Sequence, residues 1–302
     1  MQAPRVSLEQ WRAFHAVVDY GGFAQAAKQL HRSQSAISYT VAKLQQQLGI
    51  PLLIIEGRKA SLTETGKVLL RHSRYLLRQA IELEQFADSL EQGWEASIHI
   101  VVDNMFPSEI IMRALQQFKP LSHGCEVNLT ETMLAGAEDA MLKNKADIVI
   151  TGSVPNDMLG EQILEIEFVA VSNAGHPLQS LQRNITKADL ERELQVVISD
   201  SGNRKRLDAG WLGAEHRWTV SSLETSITAV SNGLGFAWLP AHRIQTLLDK
   251  NILKPLLLTE GARFNVNLFL IRNQNPGPGI RLFSEILQKT IAEKNLANNK
   301  II

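Results

Sequence analysis

The chain has 302 residues, 44% of them hydrophobic, with 31 Lys/Arg balanced by 31 Asp/Glu and a single cysteine. That length accommodates two or three domains with full cores; one thiol excludes an intrachain disulfide, and with it a sensor that works by oxidising two cysteines; and no apolar run of 18 residues offers a membrane span. The neutral total conceals a polarity, because residues 1–90 carry 11 basic and 7 acidic side chains, net +4, and the remainder carries 20 and 24, net −4.

In chain order, the first strong signal lies in residues 23–66. A short helix is predicted over 23–30, a turn at His31-Arg32-Ser33, and a second helix over 34–48. Two short helices joined by a tight turn lay one helix into the major groove of DNA. In the second helix Ile37, Val41, Leu44 and Leu48 recur at intervals of four, three and four and form a stripe to be buried. Ser33 suits the N-cap and Gly49 the C′ position. The opposite face offers Ser35, Ser38, Tyr39, Ala42, Lys43 and Gln46, with Gln34 in the first turn. Gln suits the N6/N7 edge of adenine and Ser several base edges. Ser33, Gln34, Ser35, Ser38, Tyr39 and Lys43 are therefore the candidate DNA-binding residues of this helix.

Leu52 to Ile55, the turn Glu56-Gly57-Arg58-Lys59, and Ala60 to Leu62 read as a small hairpin whose tip presents Arg58 and Lys59 to phosphates. Thr63-Glu64-Thr65-Gly66 opens the next helix. There Leu69, Leu76, Leu83 and Leu90 repeat every seven residues, with Ser73, Ala80 and Ala87 at the alternate positions, the pattern of a coiled-coil seam that pairs two copies of the chain. The predicted dimerisation residues are Leu69, Leu76, Ala80, Leu83, Ala87 and Leu90.

Past Trp94 strands and helices alternate: strands over 97–102, 125–130 and 146–151, helices over 107–118 and 135–142, then a second set over 161–172, 185–191, 195–199, 223–231 and 236–239 with a helix near 241–248. This predicts α/β lobes with largely parallel sheets. Pro276-Gly277-Pro278-Gly279 is a loop, and residues 280–294 form a last amphipathic helix. Open α/β sheets bind ligands beyond the carboxyl ends of their strands. That rule nominates Asn104, Met105, Phe106, Thr132, Ser153, Ser201 and Thr225 for a small-molecule effector, Thr225 as the opening of a helix whose amides face an anion.

Residues 1–66 resemble the winged helix-turn-helix of LysR-type transcriptional regulators. The matches are Phe14, Val17, Gly22, Phe23, Ala26-Ala27, Leu30, Ser33-Gln34-Ser35-Ala36-Ile37-Ser38, Leu44, Leu48-Gly49, Pro51-Leu52, Leu62-Thr63 and Gly66. Leu53 and Ile55 stand where that family usually has Phe and Arg, so one wing contact expected from the family is missing here. Farther along, Ala146-Asp147-Ile148-Val149-Ile150, Gly175-His176-Pro177-Leu178, Ser222-Leu223-Glu224 and the run from Val230 to Pro240 are similar to the family's effector domain. The resemblance implies an N-terminal winged helix-turn-helix (residues 1–66), a long linker helix that pairs subunits (67–93), and a two-lobed effector domain of periplasmic-binding-protein type (94–302). Its lobes would be 94–166 with 266–302, and 167–265, joined by two crossing strands. It also implies a cytoplasmic homodimer or homotetramer that binds an interrupted inverted repeat of double-stranded DNA, and contact with RNA polymerase if the chain activates.

Two other classes fit less well. Enzymatic motifs are missing: the eight histidines are dispersed, there is no paired-Cys metal spacing, no Gly-x-Ser-x-Gly elbow and no phosphate loop. No metal or cofactor is expected beyond the effector. An exported solute-binding protein would need an apolar signal core, which residues 1–20 do not show. The remaining alternative is a small-molecule-binding protein without specific DNA readout.

Overall fold

The computed structural model describes residues 3–56, 59–133, 146–155, 158–199, 211–273 and 275–298. It divides into two compact units, residues 1–89 and 90–302.

In the first unit, helix α1 (Leu8–Asp19) begins at a capping box: the Ser7 hydroxyl accepts the Gln10 amide, and the Gln10 side chain accepts the Ser7 amide. Helix α2 (Phe23–Gln29) is followed by His31 in the left-handed region (φ 52°), and α3 (Gln34–Leu48) starts at Ser33, whose hydroxyl accepts the Ala36 amide. Gly49 ends α3 in the left-handed conformation (φ 75°) that glycine adopts without steric cost. Strands β1 (Leu53–Glu56) and β2 (Lys59–Leu62) pair antiparallel, and α4 (Glu64–Glu91) follows. Trp11, Phe14, Ala26, Ile37, Val41, Leu44 and Leu52 make one core. The α3 stripe is the buried one, as its spacing requires, with Leu48 half-buried at its end.

The second unit contains strands β3 (Ser97–Asp103), β4 (Glu126–Thr132), β5 (Ile148–Thr151), β6 (Glu161–Asn173), β7 (Gln195–Ile198), β8 (Arg217–Val220), β9 (Phe236–Pro240), β10 (Leu253–Pro255) and β11 (Arg263–Arg272). Among the described residues they form one sheet in the order β4-β3-β5-β11-β6-β9-β7-β8, with β10 beside β6. The helices are α5 (Ser108–Phe118), α6 (Lys187–Glu191), α7 (Leu223–Ser231), α8 (Ala241–Asp249) and α9 (Pro278–Asn298).

The α/β class is as expected, but the sheet is mixed. β4-β3-β5 and β8-β7-β9 are parallel sets. The long strands β6 and β11 run antiparallel to each other and to their neighbours β9 and β5. β11 enters the sheet between β5 and β6 only after β7 to β10 have intervened, so its direction is set by the path of the chain and not by a local hairpin. β8, β10 and β11 were absent from the strands predicted individually. β11 alternates as Phe264, Val266 and Leu268 against Asn265 and Asn267, a half-buried pattern rather than an apolar run. The predicted helix 135–142 lies outside the described residues.

Side-chain alternation divides the cores. Ile98, Ile100, Val102, Phe118, Ile148, Ile150, Leu268 and Phe283 form one, in which Phe118 and Phe283 meet edge to face at 5.5 Å. Around the second parallel set, Val169, Val171, Ala237 and Leu239 pack under α7 and α8, while the intervening Ala170 and Phe236 pack with Leu178, Leu190 and Leu256 on the other face. The Glu95 carboxylate accepts the Gly279 amide (2.9 Å) and lies where a Cβ at Gly277 or Gly279 would fall (2.5 and 2.9 Å). The glycines of the Pro-Gly-Pro-Gly loop thus let a carboxylate reach the start of α9, where the helix dipole favours it.

Candidate nucleic-acid interface and effector crevice

The α3 face opposite its buried stripe is exposed at Ser33, Gln34, Ser35, Ser38, Tyr39 and Lys43, all six residues nominated from sequence. Tyr39 is 67% exposed, a large aromatic left in water on a helix that buries its aliphatic residues. Ser33 is partly committed: its hydroxyl caps Ala36 and bonds the Ser35 hydroxyl at 3.0 Å. Ser38, Tyr39 and Lys43 lie on the side of α3 away from its buried stripe and Gln34 is exposed in the first turn, so polar, aromatic and cationic groups are all offered to solvent. Arg58 and the side chain of Lys59 lie outside the described residues, where only the backbone of Lys59 in β2 is placed.

Residues that aim this face, none of them singled out as such from the sequence, come from α3 and its neighbours. The Gln45 side-chain oxygen Oε1 accepts the amides of Leu52 (2.7 Å) and Leu53 (3.0 Å), tying β1 to α3. Thr63 donates to the Pro51 carbonyl (2.9 Å) and accepts the Gly66 amide (2.8 Å). A Cβ at Gly66 would stand 2.1 Å from the Leu52 carbonyl oxygen, so only glycine lets α4 approach the hairpin this closely. His15 and Ser73 bond at 2.8 Å in the interior and join α1 to α4; burial lowers the His15 pKa below its ordinary value, against the raising effect of Asp19. A buried polar pair on two amphipathic helices leaves no periodic signal, which is why spacing missed it.

Along α4 the seven-residue seam divides. Leu69 packs against the N-terminal core, and Ser73 is buried and committed to His15. Both were counted in the seam, and the structure corrects this: the first turns of α4 must cover the core of their own domain. Leu76 (47%), Leu83 (67%) and Leu90 (41%) are exposed, Ala87 is exposed and Ala80 is half-buried.

In the second unit, adjacency of β4, β3 and β5 brings Thr132, Asn104 and Ser153 together at the carboxyl ends of three neighbouring parallel strands. The Asn104 amide donates to the Thr132 carbonyl (2.9 Å), and the Ser153 amide to the Thr151 hydroxyl (3.3 Å). The Thr132 hydroxyl is shielded from water and has no hydrogen-bond partner among the described residues. Beside them Asp103 is buried (1% exposed) and its carboxylate accepts the Met105 amide at 3.0 Å. Its signal was the position that ends an apolar strand, but the nominated site passed over it. Met105 (7%) and Phe106 (2%) belong to the hydrophobic core and are withdrawn from the crevice, since the turn after β3 directs them inward. Thr225 does not open α7: Ser222 is the N-cap, its hydroxyl accepting the Thr225 amide (3.1 Å) and bonding the Thr225 hydroxyl (2.8 Å), while Thr225 is itself exposed. Ser201 lies outside the described residues.

Residues 8–67 match the family described as bacterial regulatory helix-turn-helix protein, lysR family, and residues 91–292 match the LysR substrate binding domain. The chain belongs to the LysR family. This LysR-type protein is a DNA-binding transcription regulator with an effector-binding domain, which accounts for the helix-turn-helix in one unit and a ligand-binding sheet in the other. It is 30% identical over 238 residues to the uncharacterized HTH-type transcriptional regulator YeeY of Escherichia coli K12, covering 77% of each chain. It is 28% identical over 245 residues to YhaJ of the same strain, a probable HTH-type transcriptional regulator, covering 80% of this chain and 82% of that one. In fold it is similar to the full-length LysR-type regulator LysG of Corynebacterium glutamicum, with TM-score 0.52 and 17% identity over 95% of this chain and 98% of LysG. No helix among the described residues is long and apolar enough to cross a membrane.

Proposed function

We propose that this LysR-family protein reads an interrupted inverted repeat in duplex DNA through the exposed face of α3, and that a small molecule held at the carboxyl ends of β3, β4 and β5 governs the outcome. The observation that carries the proposal is the exposure of Ser33, Gln34, Ser35, Ser38, Tyr39 and Lys43 on one helix whose opposite side anchors the domain core. Asn104, Thr132 and Ser153 are the effector contacts this reading keeps. LysG has also been solved with arginine bound as its effector, a precedent for a small polar ligand in this fold.

Two copies pair through the exposed part of the α4 seam, and two such dimers form a tetramer. Two-fold symmetry in the protein is then mirrored in the half-sites. Effector acts by binding one packing of the subunits better than another, because a ligand shifts an equilibrium only by its differential affinity. The protein works in the cytoplasm, performs no catalysis, uses no metal or cofactor, and engages RNA polymerase where it activates.

Selection of duplexes from a random library by the purified full-length protein, followed by footprinting, tests the DNA reading. Gln34→Ala is expected to reduce discrimination between the selected site and scrambled DNA by about 1 to 3 kcal/mol. Equal loss on both would remove Gln34 from base readout.

A further inference from the structure

A second charged surface adjoins α3. The N-terminal arm and first turn of α1 form, with the middle of α3, an open groove of about 700 Å3 whose lining includes Arg5, Glu9, Tyr39, Thr40, Lys43 and Gln47. Its walls are held together: the Gln10 side-chain amide donates to the Gln47 side-chain oxygen Oε1 at 2.6 Å, and the capping box fixes Ser7 to Gln10. The arm that carries Arg5 therefore leaves a fixed point on the recognition helix.

Charge and position define the occupant. Arg5 and Lys43 face the groove from its two walls, and Glu9, its single carboxylate, has Arg12 at 3.8 Å and Arg32 at 4.0 Å. The groove itself is lined by two cations and one acid, and that acid is already neutralised by two arginines outside the groove, which leaves Arg5 and Lys43 to make the surface positive. Tyr39 and Lys43 belong both to the groove and to the exposed face of α3, so the two surfaces are continuous. A groove that starts where the base-reading face ends, has cations on two walls and contains hydroxyls suits the sugar-phosphate backbone flanking the groove that α3 enters.

We propose that Arg5, on the N-terminal arm, together with Lys43 on α3, clamps a backbone phosphate of the operator, extending the footprint beyond the helix-turn-helix and wing. This rests on α3 reading DNA. Arg5 thereby contributes affinity and register without base preference, whereas Gln34 contributes preference. The arm is exposed, so Arg5 can be replaced without touching the core.

The test measures the dissociation constant of the full-length protein on its selected duplex from 50 to 300 mM NaCl. Each neutralised phosphate adds about 0.9 to the slope of log K against log salt. Arg5→Ala is expected to flatten the slope by about 0.9 per half-site engaged, to keep the wild-type ranking of sequences, and to lose one site of phosphate-ethylation interference in each half-site. Arg5→Lys, which keeps the charge, is expected to retain the slope. An unchanged slope and interference pattern in Arg5→Ala, with wild-type protein binding normally, would overturn the clamp alone. Failure of wild-type protein to select any duplex would overturn the clamp and the DNA reading together.

Discussion

Cys125 is 9% exposed at the start of β4, and burial, followed by the nearby carboxylates of Glu95, Asp147 and Glu126, pushes its thiol up to about 11. The thiolate is the reactive form, so at pH 8 only about one thiol in a thousand is ionised. In native protein, labelling by iodoacetamide is expected to be far slower than in the urea-unfolded chain and to rise about tenfold per pH unit from pH 8 to 10. Rapid labelling at pH 7 would contradict the buried, anion-flanked setting. The same residue scale accounts for Gly66 and Gln45. One has no Cβ, which would otherwise stand 2.1 Å from the Leu52 carbonyl oxygen where α4 passes the hairpin, and the other uses one side-chain oxygen to hold two amides of the hairpin. Gly66 was visible in the sequence because it matches a family motif; Gln45 was not, because its partners are backbone groups seven and eight residues away that only the turn after α3 brings to it.

At the scale of elements, α3 and α4 differ in how much of their pattern serves the subunit. The four-three-four stripe of α3 packs into its own domain, with Ile37, Val41 and Leu44 buried and Leu48 half-buried, so amphipathicity and burial coincide. In α4 a single heptad pattern serves two roles. Leu69, Leu70 and Ser73 cover the N-terminal core, whereas Leu76, Leu83 and Leu90 remain in water. Burying an exposed leucine contributes about 1.5 to 3 kcal/mol, and a paired seam receives that contribution from each copy. Leu83→Arg is expected to leave the circular dichroism of the chain unchanged and to weaken self-association at least a hundredfold in sedimentation equilibrium. An unchanged association constant would assign the dimer contact to another surface. Sequence periodicity located the apolar face of α4 but could not divide it, because a heptad records only that a face is apolar and not what covers it.

The whole molecule has separate cores. Phe14, fully buried in the first unit, and Phe283, fully buried between α5, α9 and the sheet in the second, belong to clusters that share no residue. Phe→Ala at a packed site costs about 3 to 5 kcal/mol. In scanning calorimetry Phe14→Ala is therefore expected to lower one unfolding transition and Phe283→Ala another, each leaving its counterpart within a degree or two. A single transition shifted equally by both would mean that the units unfold as one cooperative body.

What could be read from the chain alone was what local chemistry specifies. The helix-turn-helix, its Ser33 and Gly49 caps, the α3 face, the strand-helix alternation and the family follow from periodicity, capping and motif spacing within about sixty residues at a time. What the tertiary structure decided depends on groups far apart in sequence. The place of β11 between β6 and β5 joined the predicted largely parallel sheets into a single mixed one. The turn after β3 took Met105 and Phe106 into the core and left Asn104 beside Thr132 and Ser153. The Gln10–Gln47 bond placed the Arg5 arm against α3. Each of these is a contact whose partners lie dozens of residues away, and a one-dimensional pattern carries the polarity of a side chain but not the identity of what it meets.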